Sequence, residues 1–80
     1  MARADRRVGE AVQAMKMQYD EKADALYLRL DESGIVESEE VRPGIVLDFN
    51  GSNEVVGIEV LGLKRRVPSA DLKQLKFEVA

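Results

Sequence analysis

The chain has 80 residues and a formal net charge of -3, with no cysteine and no histidine. That length holds one domain, since a chain this short hides only about 60% of its unfolded surface; the missing residue types exclude disulfides, sulfur- or His-ligated metals and any Ser-His-Asp triad, leaving acid-base work to shifted carboxylates, lysines or tyrosines. Charge is segregated, with a net of +1 over residues 1–14, -7 over residues 15–63 and +3 over residues 64–80, so the acidic middle opposes phosphate and excludes a nucleic-acid grip by that part of the chain.

In residues 1–14, Ala4, Val8, Ala11 and Val12 repeat at helical spacing, interrupted by Gly9. They read as an N-terminal helical or disordered extension, set before a single domain over residues 15–80. From Met15 the period changes to two. Met17 and Tyr19 alternate with Lys16 and Gln18, a turn follows over residues 20–24, and Leu26, Leu28 and Leu30 alternate with Tyr27, Arg29 and Asp31, which predicts a β-hairpin. After the turn Asp31-Glu32-Ser33-Gly34, residues 35–42 carry Glu37, Glu39 and Glu40, a pattern suited to an edge strand.

Ile45, Leu47 and Phe49 alternate with Val46 and Asp48 before Asn50-Gly51-Ser52-Asn53, a hairpin turn signal, and Val56, Ile58 and Val60 resume the same parity. Pairing residue 49 with 54 puts Leu47 opposite Val56 and Ile45 opposite Ile58. Beyond Lys64-Arg65-Arg66, Ser69 is placed as an N-cap, Asp71 in a first turn, and Leu72, Leu75 and Val79 on one helical stripe. The expected fold is α+β: a small antiparallel meander of four to five strands, with the Leu26, Leu47 and Ile58 face covered by a short C-terminal helix; Phe77-Glu78-Val79 is alternatively a last strand. The 28 Val, Ile, Leu, Met, Phe and Tyr residues make a core sufficient only for marginal stability, so homo-oligomerisation is expected. No apolar run reaches the roughly 18 residues of a membrane span, and a cytoplasmic location without membrane contact is expected.

Two blocks, Tyr19-Asp20 with Asp24-Ala25-Leu26-Tyr27-Leu28-Arg29-Leu30, and Gly44-Ile45-Val46-Leu47-Asp48-Phe49-Asn50 with Val55-Val56-Gly57-Ile58-Glu59-Val60-Leu61, together resemble a small prokaryotic family, domain of unknown function 2283. The resemblance spans about residues 15 to 63. It implies a compact antiparallel sheet with a helix, no established activity and, for some relatives, an antitoxin-like role. The leader and Gly62-Leu63-Lys64 depart from the family pattern.

Asp20, Asp24, Asp48 and Glu59 are the residues that could bind a divalent cation or share a proton. In the register above Asp48 faces Val55, and Glu59 lies about 13 Å further along the sheet, so a carboxylate dyad requires a different register. Asp20 and Asp24 bracket a turn, where such carboxylates bond local backbone N–H groups; with Tyr19 they form a candidate polar turn. No catalytic, cofactor or metal site is expected. The second sheet face, with Tyr27, Arg29, Val46, Asp48, Gly57, Glu59 and Leu61, is half apolar and is the candidate interaction face, for a second copy or a basic protein. Gly57 marks a bulge or a close approach by another backbone, or makes room for Tyr27. The alternative reading is a carboxylate-based metal-binding or hydrolytic enzyme.

Overall fold

A computed structural model of the chain describes residues 14–69 and 71–80. Helical spacing in the leader therefore falls outside the described residues. Each segment of period two is a strand: β1 (Lys16–Asp20), β2 (Ala25–Arg29), β3 (Ile35–Arg42), β4 (Ile45–Asn50) and β5 (Val55–Leu61). All neighbouring pairs are antiparallel, in the order β1-β2-β5-β4-β3. The α+β class is as expected. The connectivity is a three-strand meander, β3 to β5, with the β1–β2 hairpin joined to its β5 side. A single meander would put β2 beside β3, but acid-rich β3 stays at the outer edge, where its carboxylates remain in water.

Rows of paired residues define the two faces, because side chains alternate along each strand. Met17, Leu28, Ile58 and Leu47 stand opposite one another in one row, and Tyr19, Leu26, Val60 and Ile45 in the next. The β4–β5 register differs from the expected one. Leu47 faces Ile58 rather than Val56, and Asp48 faces Gly57 rather than Val55, with a bulge between Asp48 and Phe49. The turn explains the shift. Asn50 Oδ1 accepts from the Ser52 and Glu54 N–H groups, both at 2.9 Å, and Asn53 adopts a left-handed φ of 62°, which widens the loop, and the bulge adds a further residue. The net displacement is two residues, so the apolar face keeps its parity.

The short helix sits earlier than expected. It is α1 (Leu63–Arg66), a single turn following Gly62 at φ 67°, and residues 71–80 contain neither helix nor strand. Its site is set by distant contacts: Leu63 N–H bonds the Asp24 carbonyl at 3.1 Å, and Lys64 N–H bonds the Asp24 carboxylate at 3.1 and 3.2 Å. A carboxylate there satisfies orphan helix donors better than Ser69 could in an exposed tail. Buried Leu63, with Val67 and Leu72, borders an open groove over Met17, Tyr19 and Leu26. Among the described residues only Val56 and Leu63 are buried hydrophobics, whereas Val36, Leu75, Phe77 and Val79 are between 67% and 86% exposed. No helix among them is long and apolar enough to cross a membrane.

Candidate functional site

The sheet's second face carries two adjacent polar rows. One runs Lys16, Arg29, Gly57, Asp48, Ser38; the other runs Gln18, Tyr27, Glu59, Val46, Glu40. With Leu61 opposite Ala25, the register brings all seven residues of the expected interaction face onto this side.

Gly57 is the centre of the arrangement. A Cβ placed there would lie 2.8 Å from the Tyr27 hydroxyl and 2.9 Å from Asp48 Oδ2, so both side chains occupy the volume that any other residue would fill. Asp48 is 2% exposed. Burial of a carboxyl needs partners, and Ser38 Oγ donates to its Oδ1 at 2.6 Å.

The observed register also reverses the expected separation of the two acids. Asp48 and Glu59 are diagonal neighbours across β4 and β5, within side-chain reach. Burial pushes the Glu59 carboxyl above its ordinary pKa, and Asp48 beside it acts in the same direction. Both the Tyr27 hydroxyl and Asp48 Oδ2 pack against the open Cα of Gly57, so the two acids and the tyrosine meet at one point of the face.

Arg29 is committed inside the fold. Its Nη1 donates to the Tyr27 hydroxyl at 3.2 Å, its Nε to the Asp31 carbonyl and its Nη2 to the Ser33 carbonyl, so each of its three nitrogens is engaged. It clamps the β2–β3 turn against the face. Buried Asn50 extends the same polar layer: its Nδ2 donates to Ser33 Oγ at 3.2 Å and to Glu54 Oε1 at 3.0 Å. Ser38 and Asn50 escaped the sequence reading because one lies in an acidic edge and the other in a turn motif; only the true register reveals their partners.

The polar turn divides in two. Asp20 Oδ1 accepts from the Lys22 and Ala23 N–H groups at 3.0 and 3.2 Å, as expected of a turn carboxylate. Asp24 instead reaches across to Lys64 and accepts the Tyr19 hydroxyl at 2.6 Å. That hydrogen bond pushes Tyr19 up to about 12 and holds Asp24 below the usual carboxylate range, the Lys64 backbone bond and nearby basic residues also favouring the Asp24 anion. Among the described residues no group of three or more Asp and Glu side chains could hold a metal ion.

The model of a family described as "Protein of unknown function (DUF2283)" matches residues 16–64, more than half of the chain. No curated protein and no solved structure matches it.

Proposed function

We propose that this chain, which belongs to the DUF2283 family, works as a cytoplasmic protein–protein interaction module that self-associates and presents an acidic edge to a basic protein. One observation carries the reading: a five-stranded sheet with only Val56 and Leu63 as buried hydrophobics among the described residues, and with large apolar groups such as Val36 and Phe77 exposed. A single layer of this kind leaves its apolar surface in water unless a second body covers it. Glu37, Glu39 and Glu40 are exposed along β3, and such a row favours a partner rich in lysine and arginine, as an antitoxin-like role requires. Light scattering on the full chain tests self-association: a mass above that of the monomer, growing with concentration, supports the reading, and a constant monomer mass refutes it. Affinity purification beside the products of neighbouring genes tests the basic partner. Loss of capture in a Glu37→Lys/Glu39→Lys/Glu40→Lys variant supports it, and undiminished capture refutes it.

The Asp48–Glu59 pair supports a second reading, a carboxylate-based metal-binding or hydrolytic site. Two carboxylates close together with a raised pKa are a recurring catalytic device. Calorimetric titration with magnesium, manganese or calcium tests it. Heat that disappears in Asp48→Asn supports this reading, and absence of heat in the native chain removes its metal-dependent form.

A further inference from the structure

We propose that the chain dimerises edge to edge, pairing β1 antiparallel with β1 of a second copy about Gln18, so that two five-stranded sheets continue as one. This names the surface used by the self-association proposed above and rests on that reading.

Among the described residues the sheet has two edges, β1 and β3, and they differ in what they permit. An uncovered edge offers unpaired N–H and C=O groups to any complementary strand. In β3, bulges interrupt the strand between Ile35 and Glu37 and between Glu40 and Arg42. A symmetric pairing centred on its middle sets glutamates against glutamates, Glu39 against its own copy or Glu37 against Glu39. Like charges directly opposite oppose pairing, so β3 is guarded against its own copy and remains suited to a basic partner.

β1 has neither defence. Its register with β2 is unbroken over Lys16–Asp20, and among the described residues no backbone group outside the sheet bonds its outer side. Its sequence, Lys-Met-Gln-Tyr-Asp, is complementary to itself when reversed. Pairing about Gln18 sets Lys16 opposite Asp20 of the second copy, twice, on the polar face, and Met17 opposite Tyr19, twice, on the apolar face. Cross-strand pairs of these kinds are each favourable. Lys16, Met17, Gln18 and Asp20 are exposed, and Tyr19 is half-buried. The apolar rows that end at Met17 and Tyr19 in one chain would then run on into the next. Five paired residues span only about 16 Å and cover less than a standard interface, so the dimer is weak and reversible.

The test uses sedimentation velocity on the full chain with Lys16→Asp and Asp20→Lys variants. Each variant alone places two like-charged pairs at the seam and should weaken association about tenfold. Mixed in equal amounts, the two variants restore both opposite-charge pairs and should form a heterodimer as tight as the native dimer. Asp20→Asn, which retains a turn acceptor, should weaken association by a smaller step. Dimers that ignore these substitutions, or a mixture no tighter than its components, overturn the edge pairing while leaving self-association standing. A native chain that stays monomeric at all concentrations overturns both.

Discussion

Glu59 stands diagonally across from Asp48 on the paired strands β5 and β4, beside the bare Cα of Gly57. A wider turn at Asn50 and one bulge produce this pairing, and without them the two carboxyls would be separated along the sheet.

Removing the titrating group isolates its effect on stability. The native fold favours protonated Glu59, so its contribution is fully present below the ordinary glutamate value of 4.5 and is lost as pH rises through the raised native value. Glu59→Gln keeps a hydrogen-bond donor and never ionises. In urea unfolding, the stability of Glu59→Gln relative to the native chain should therefore rise from about pH 4 to about pH 7. A constant difference would contradict this.

Gly57→Ala forces a methyl against the Tyr27 hydroxyl and Asp48 Oδ2. The overpacking should lower stability by about 1–3 kcal/mol. Because the nearest contact is the hydroxyl itself, adding Tyr27→Phe should recover part of the loss, measured by a double-mutant cycle. Strictly additive losses would show that the crowding lies elsewhere.

Asn50→Ala removes a buried carboxamide that accepts two turn N–H groups and donates to Ser33 and Glu54. The expected cost is about 1–3 kcal/mol from the orphaned donors, with β4–β5 amide exchange accelerated first at Ser52 and Glu54. A neutral substitution would mean the turn does not depend on this side chain.

Asp24 joins the first hairpin to α1, and its ionisation is linked to Tyr19. Stability from the lowered Asp24 is present above the ordinary value of 3.8 and lost as pH falls through the depressed native value; that from Tyr19 is present below 10.0 and lost as pH rises towards about 12. In Asp24→Asn, which tolerates the left-handed backbone at φ 53°, Tyr19 should titrate well below about 12 by ultraviolet absorbance. An unchanged titration would break the link.

Strand parity is legible because Leu26, Leu28 and Leu30 alternate with Tyr27, Arg29 and Asp31, Leu47 and Phe49 flank Asp48, and Ile58 and Val60 flank Glu59, and a two-residue slip preserves parity. Register is not, since it depends on the Asn50 carboxamide and the left-handed Asn53 rather than on hydrophobic pattern. Parity alone therefore sets the seven residues on one face, whereas the proximity of Asp48 and Glu59 depends on register. The helix was misplaced for a related reason. The stripe at Leu72, Leu75 and Val79 is real in the sequence, but the tail lacks a buried surface to hold it, whereas Leu63 is buried and its turn is tied to Asp24 from 40 residues away.

Hydrogen exchange followed at low and high protein concentration addresses the association most directly. Protection at the outward-facing amides of Lys16–Asp20 should rise with concentration while β3 amides stay unchanged. Exchange in β1 that is the same at every concentration would contradict a sheet completed by its own copy.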